Sequence, residues 1–313
     1  MVKPVGERKP DALIVAGPTA SGKSALAMAV AREFDGVVIN ADSMQLYAEL
    51  DVLTARPPRE DEAAVPHRLY GVWPAASHGT VGRWRQAALA EIAAANAAGK
   101  LAIVCGGTGM YLKMLVEGLS HVPPIPPEIR VAARAKFSDI GAAAFHAELA
   151  RRDPVAGAKL TMADSQRMLR AYEVVEATGR TLSDYQAADP LGTATWPSIV
   201  LLPPREAHRA AIAARTRKMA ENGALDEVRN LLAQNLPDTL PAMRALGVRE
   251  FAGHLAGQYD FESAINMLSL ATAKFAKRQA TWFRGQMKHA LRFDAQYSES
   301  LMGQIRTFVK QIR

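Results

Sequence analysis

Residues 17–24 read Gly-Pro-Thr-Ala-Ser-Gly-Lys-Ser, a match to G-x-x-x-x-G-K-[ST]; with its flanks, this segment restricts the fold more than any other part of the chain. Residues 12–16 (Ala-Leu-Ile-Val-Ala) form a short apolar run of the kind that makes a strand buried on both faces of a parallel sheet. Residues 23–34 are Ala-rich, with apolar positions at helical spacing. Between strand and helix, Gly17 and Gly22 let the backbone curl so that successive N–H groups converge on an anion, and the helix adds the positive end of its dipole. Lys23 supplies a mobile cation for a terminal phosphate, and Ser24 a hydroxyl able to ligate Mg²⁺ between two phosphates. Gly17, Pro18, Thr19, Ala20, Ser21, Gly22, Lys23 and Ser24 are therefore the expected diphosphate-binding residues. The motif implies a di- or triphosphate without choosing between ATP and a diphosphate leaving group.

The pattern repeats downstream. Residues 36–40 read as a second strand, 68–73 as a shorter one, 84–98 as a helix ended by Gly99, and 101–105 as a buried strand broken by Gly106 and Gly107. Strands alternating with helices predict a parallel sheet with helices on both faces. Pro123, Pro124, Pro126 and Pro127 then interrupt the chain, and residues 128–179 are helix-like with no strand, Asp164 or Ser165 serving as a cap for a helix running to Gly179. Residues 197–202 return to strand character, long helices follow over 206–234 and 261–289, and 291–293 suits an edge strand. The expected organisation is a core of residues 1–119 and 199–313, interrupted by an all-helical insertion over 120–198.

Hydrophobic residues make up 49% of the 313, enough for a sizeable core. The 38 Lys+Arg against 31 Asp+Glu leave a net charge of +7, which suits an anionic partner such as nucleic acid. The single cysteine, Cys105, excludes an intrachain disulfide and a cysteine-based zinc site; in its apolar run it reads as a buried small hydrophobe. Residues 1–11 hold no apolar signal-peptide core, and no uncharged stretch is long enough to span a bilayer, so a soluble cytoplasmic protein is expected.

Asp42 follows the second strand. In an open parallel sheet the carboxyl ends of the strands share one rim, so Asp42 and the phosphate loop are expected to face one cleft. There the carboxylate has three available roles: accepting a proton from a nucleophile, holding Mg²⁺ through water, or capping the next helix. Gly106-Gly-Thr-Gly-Met-Tyr111 follows the third long strand on the same rim, where glycines allow close approach of a ligand and Thr108 can donate to a phosphate or nucleobase. Lys277, Thr281, Arg284 and Lys288 recur at i, i+4, i+7 and i+11, one helical face, with Lys274 and Arg278 nearby. Such a stripe either tracks a phosphate backbone or is an ordinary solvated face. Arg244 and Arg249, and within the insertion Arg130, Arg134, Arg151, Arg152, Arg167 and Arg170, repeat the basic theme.

These residues resemble the tRNA dimethylallyltransferase (tRNA isopentenyltransferase) family over most of the chain, from about residue 12 to 284. Five segments carry the resemblance: GPTASGKS from Gly17, ADSMQLY from Ala41, GGTGMYLK from Gly106, DSQRMLRAYEV from Asp164 and AKRQATWFR from Ala276. The first is shared with many nucleotide-binding proteins; the other four, in this order, are specific. The resemblance implies an α/β, P-loop NTPase-like fold with a helical insertion. It implies dimethylallyl diphosphate as donor and the adenosine 3′ of the anticodon as acceptor; the expected cofactor, from the phosphate loop and Ser24, is Mg²⁺. By the same analogy Asp42, Ser43, Met44, Gln45, Thr108, Arg130, Gln166, Arg167, Met168, Leu169, Arg170, Arg244, Arg249, Lys277, Arg278 and Arg284 meet the tRNA. Four positions depart from the family's usual pattern: Leu53 for Gly and Arg56 for Lys alter the loop after Asp42, Val248 for Tyr removes a stacking ring near the RNA, and Phe275 for Tyr loses a hydroxyl.

The expected chemistry follows. Asp42 orients the adenine exocyclic amine and takes its proton, while Lys23, the loop amides, Mg²⁺ on Ser24 and Thr108 stabilise departing diphosphate. The expected partners are tRNA, gripped at its anticodon stem-loop by the insertion and the basic C-terminal helix, and dimethylallyl diphosphate, with no membrane and a monomeric state. Three other readings share the loop: a nucleotide or metabolite kinase, a prenyltransferase acting on free adenine nucleotides, and an RNA-binding ATPase switch without transfer chemistry.

Overall fold

The computed structural model describes residues 11–188 and 196–312. Its chain order is β1 (Leu13–Ala16), α1 (Lys23–Glu33), β2 (Gly36–Asn40), α2 (Arg59–Ala64), β3 (His67–Arg68), α3 (Val81–Ala97), β4 (Leu101–Gly106), α4 (Gly109–Glu117), α5 (Pro127–Arg152), α6 (Pro154–Lys159), α7 (Ser165–Thr178), α8 (Leu182–Ala188), β5 (Ser198–Leu201), α9 (Arg205–Glu221), α10 (Ala224–Leu232), α11 (Val248–Leu255), α12 (Phe261–Gln286), β6 (Leu291–Phe293) and α13 (Met302–Ile312). The six strands form one sheet in the order β3-β2-β4-β1-β5-β6, every pairing parallel. Parallel pairing gathers the strand carboxyl ends on one rim. The loops carrying residues 17–24, 41–47 and 106–111 leave three neighbouring strands, β1, β2 and β4, on that rim.

Alternation along the strands explains the two-sided core. Ile14, Ala16, Val37, Ile39, Ala102, Val104 and Val200 face a core that includes Trp84, Leu112, Val228, Phe251 and Phe283. Leu13, Val15, Val38, Ile103, Cys105, Ile199 and Leu201 face Leu26, Val30, Ile305 and Val309. Because both faces are covered, the strands read as continuous apolar runs rather than alternating ones. Among the described residues no helix is long and apolar enough to cross a membrane.

The chain divides into two compact units, Met1–Val116 with Ala194–Arg313, and Glu117–Thr193. The second has its own core of Ala133, Phe145, Leu149, Ala156, Met168, Ala171 and Tyr172, drawn from α5, α6 and α7. α5 begins with Pro127 in its first turn and breaks at Gly141 (φ 76, ψ 168). Asp164 stands at the N-cap of α7 but turns its carboxylate back to Thr161, accepting from its N–H (3.0 Å) and hydroxyl (2.9 Å); Gly179 closes the helix in the left-handed region, as expected.

Three sequence expectations are corrected. Residues 206–234 form two helices, because Gly223 at φ 97 turns the chain between α9 and α10. The helix over 261–289 stops at Gln286, so Lys288 leaves the basic stripe. Only His67 and Arg68 of the third strand pair with β2; Leu69 (φ 65) and Gly71 (φ 57) bend the chain away, and Trp73 rejoins through a bridge to Tyr47.

Candidate active site

The segment from Gly17 to Gly22 curls at the carboxyl end of β1, and Lys23 and Ser24 open α1 with Gly22 at φ 85 as the N-cap. A side chain at Gly22 is barred by that backbone angle, and at Gly17 by Ser21 Oγ, 2.6 Å from where a Cβ would sit. The loop is braced from distant parts of the chain. Thr19 N–H donates to Gln279 Oε1 (2.9 Å), the Thr19 carbonyl meets His208 Nε2 (2.7 Å), Gln296 Nε2 donates to the Ala20 carbonyl (3.0 Å), and Tyr297 N–H donates to the Ser21 carbonyl (3.2 Å). The Thr19 amide is therefore engaged within the protein and does not join the inward-facing donors expected of the loop. Lys23 Nζ rests 3.4 Å from the Pro18 carbonyl, and Ser24 is exposed.

Asp42 is held by a network that starts inside β2. Asn40, fully buried, accepts Asp42 N–H at Oδ1 (2.7 Å) and donates from Nδ2 to the Asp42 and Leu69 carbonyls (3.0 Å each), while its own carbonyl accepts from Trp84 Nε1 (2.8 Å). The Asp42 carboxylate accepts Met44 N–H (3.0 Å), a local turn that leaves the side chain half-exposed. Thr108 Oγ1 accepts Ser43 N–H (3.0 Å) and donates to Ser43 Oγ (3.3 Å), so this hydroxyl orders the Asp42 loop. Gln45 Nε2 donates to the Thr54 and Ala55 carbonyls (3.0 and 3.1 Å). The glycines after β4 also serve packing within the protein: a Cβ at Gly106 would strike the Ala41 backbone, at Gly107 the Gln279 amide, and at Gly109 the Trp282 ring.

A cavity of about 430 Å³ lies beside the phosphate loop; its lining includes the polar Lys23, Ser24, Arg56, Asp61 and Arg215, the apolar Met28, Val38, Pro57 and Pro58, and Gly22, His67 and Tyr70. Asp42 is not among its walls, yet its charge reaches two of them. Burial pulls the Lys23 ammonium below the usual lysine range, opposed by Asp42; burial likewise lowers the Arg215 guanidinium, again opposed by Asp42. Lys23, Arg215 and Asp42 thus share one field. Burial pushes the Cys105 thiol up to about 11, which leaves it an inert core group as its apolar run implied.

The match to known proteins decides the family. Residues 45–286 match the model of the IPP transferase family. The chain is 51% identical over 297 residues to the tRNA dimethylallyltransferase of Rhodospirillum rubrum, covering 94% of this chain and 90% of that protein. It is 50% identical over 302 residues to that of Paramagnetospirillum magneticum, covering 96% of each. The chain belongs to the tRNA dimethylallyltransferase (IPP transferase) family. It is accordingly an enzyme, a transferase. Its fold also matches the full-length tRNA isopentenylpyrophosphate transferase of Bacillus halodurans at 26% identity, with a TM-score of 0.69 and 97% of both chains covered.

Membership gives the basic residues a context. Lys277, Arg278 and Arg284 are exposed on α12 and Arg249 on α11; Arg244, also exposed, donates from Nε to the Asp238 carbonyl (3.2 Å). Lys277 and Arg284 line a groove of about 750 Å³ between α9 and α12, together with Arg205, Arg209 and Lys274. In the helical unit Arg130, Gln166 and Arg167 are exposed, and Leu169 and Arg170 half-buried. Met168 is fully buried in that unit's core, so its side chain holds the segment together and presents nothing to RNA. Arg152 is engaged by Glu176 and lies over the Tyr172 ring, which removes it from the free basic surface. Val248, 3% exposed, packs in this chain's main core, so a ring there would be a core group rather than a base-stacking one. Leu53 is also buried, against Gly247.

Sequence reasoning missed Asn40, Arg215, His208 and Gln279. Asn40 had a signal, a polar residue closing an apolar strand. Gln279 stood inside the quoted AKRQATWFR segment but was overshadowed by the cations around it. Arg215 and His208 lie among several other basic residues on α9, with nothing in the spacing to separate them.

Proposed function

We propose that this enzyme transfers a dimethylallyl group from dimethylallyl diphosphate to the exocyclic amine of the adenosine 3′ of the anticodon in tRNA. The observation that supports this most is a cavity whose lining combines cations and a helix N-terminus with apolar side chains, with a carboxylate on the next strand end but one. A diphosphate fits Lys23, Ser24 and Arg215, and a short branched hydrocarbon suits Met28, Val38 and the two prolines.

In this reading the amine lone pair forms a bond to the allylic carbon as that carbon's bond to diphosphate oxygen breaks. The amine proton passes to Asp42, and the electron pair leaves on diphosphate, met by Lys23, Arg215 and the first amides of α1. Ser24, exposed at the second position of α1, fits an Mg²⁺ held mostly by phosphate oxygens and water, since this ion commonly takes only one or two protein ligands. Such an ion would neutralise charge on the diphosphate. Among the described residues no cluster of His, Cys, Asp or Glu could hold a metal without that help.

The target base must leave its stack to reach a rim site. Arg244, Arg249, Lys277, Arg278 and Arg284 on the core unit, and Arg130, Gln166, Arg167, Leu169 and Arg170 on the helical one, are proposed to meet the RNA, chiefly at phosphates. The known relatives' names, all tRNA dimethylallyltransferases or tRNA isopentenylpyrophosphate transferases, point the same way. The test is incubation of labelled dimethylallyl diphosphate with unmodified tRNA, with ATP plus free nucleosides and nucleotides as the control arm. Label entering RNA without ATP is expected. Label entering only free nucleotides, or ATP consumption without transfer, would overturn the proposal.

A further inference from the structure

The backbone of Thr19 is gripped on both sides of its Cα, at the N–H of the peptide before it and the carbonyl of the peptide after it. Its N–H donates to Gln279 Oε1 at 2.9 Å, and its carbonyl accepts from His208 Nε2 at 2.7 Å. Gln279 comes from α12, 260 residues away in sequence, and His208 from α9, 189 residues away. Both side chains are among the few buried polar ones, at 7% and 8% exposure. Gln279 does more than hold Thr19. Its Nε2 donates to the Gly107 carbonyl at 2.8 Å, which joins the phosphate loop after β1 to the loop after β4. That second loop carries Thr108, whose hydroxyl orders Ser43 beside Asp42.

We propose that Gln279 and His208 are positioning residues that clamp the two peptides flanking Thr19 and so fix the shape of the phosphate loop relative to Asp42. The proposal rests on the reading that residues 17–24 hold the diphosphate. The physical reason is local. Thr19 sits at the crown of the loop, next to Ala20 in a left-handed conformation (φ 60) that a non-glycine residue keeps only when its surroundings impose it. Neither a helix nor a strand holds this stretch, so its peptide orientation is set by whatever accepts the N–H and donates to the carbonyl. A Cβ at Gly107 would run into the Gln279 amide, so the amide fills its slot closely and cannot swing away without cost. Neither residue needs to touch substrate: loss of either frees the peptide it holds to rotate, and the phosphate donors then no longer converge.

The test compares wild type with Gln279→Met, which keeps volume but loses both hydrogen bonds, and His208→Phe, which loses the donor. Inorganic pyrophosphate binding is measured by calorimetry, tRNA binding by filter retention, and KM and kcat with both substrates; circular dichroism checks the fold. Each single variant is expected to weaken pyrophosphate binding roughly tenfold, the scale of one buried hydrogen bond lost; tRNA affinity is expected within about twofold for Gln279→Met, whereas His208 also lines the basic groove between α9 and α12 and is read by pyrophosphate binding alone. The double variant is expected to lose less than the product of the two single losses, because both act on adjacent peptides of one loop. Lys23→Ala is the control for the loop itself. If Lys23→Ala leaves pyrophosphate binding intact, the phosphate-loop reading falls and the clamp with it. If Lys23→Ala weakens binding while Gln279→Met does not, or if Gln279→Met lowers tRNA and pyrophosphate affinity in parallel, the clamp alone is overturned.

Discussion

Thr108 Oγ1 accepts the Ser43 backbone N–H at 3.0 Å, so a hydroxyl at the end of one strand sets the course of the loop that presents the carboxylate at the end of its neighbour. Thr108→Val keeps the shape and removes the acceptor. If the loop then relaxes by even about an ångström, the transfer rate should fall roughly ten- to a hundredfold. Thr108→Ser should restore most of it. Single-turnover rates at saturating substrates check this, and a Val variant as fast as wild type would show that the loop holds itself.

Asp42→Asn is the cleaner probe of the base. Asn Oδ1 still accepts Met44 N–H, so the local turn at 3.0 Å survives while the basic oxygen is lost. The chemical step should slow by about 10² to 10⁴, the usual span of general base catalysis, with tRNA affinity within a few-fold. A rate unchanged from wild type returns Asp42 to the role of a loop cap.

Burial lowers the Lys23 pKa, so its ammonium discharges at a lower pH than a solvated lysine would. The protonated form is the one that attracts diphosphate. Pyrophosphate affinity should therefore decline as pH rises from neutral, beginning below the ordinary lysine range. Lys23→Arg should move that decline to higher pH, because a guanidinium keeps its charge. Calorimetric titrations across the alkaline range read this directly; identical pH profiles for the two proteins would remove Lys23 from diphosphate binding.

Lys277 and Arg284 line one groove with Arg205, Arg209 and Lys274. If RNA phosphates occupy it, replacing both Lys277 and Arg284 by Ala should weaken tRNA binding and reduce the salt slope by about 0.7 for each cation removed, the value for single strands. An unaltered slope would make the stripe a solvated face.

Phe145 is fully buried in the core of the helical unit, against Phe137 and Tyr172. Phe145→Ala should destabilise that unit by about 3 to 5 kcal/mol, the usual cost of removing a buried ring. Limited proteolysis should then cut within 117–193 before the rest of the chain. Simultaneous loss of both units would show that they unfold together.

Much of the fold was legible because its signals are local and periodic. The apolar run before Gly17, β2 ending at Asn40 and β4 ending at Gly106 each announced a two-sided buried strand, and parallel pairing followed from the helices between them. The misreadings were local too. Gly223 lay inside an apparently continuous helical pattern, and one left-handed residue was enough to break it. Met168 belonged to a motif read as RNA-facing, but helix periodicity turned it inward.

The sequence by itself determined the phosphate loop, the carboxylate after the next strand in chain order, and the family, because each depends on residue types at short fixed spacing. Only the tertiary structure decided that Thr108 serves Ser43, that Arg215 joins Lys23 at the cavity wall, and that Gln279 and His208 hold Thr19. Those pairings span 65 to 260 residues. No short-range pattern encodes them; the order of strands in the sheet and the seating of α9 and α12 bring such side chains within hydrogen-bonding distance.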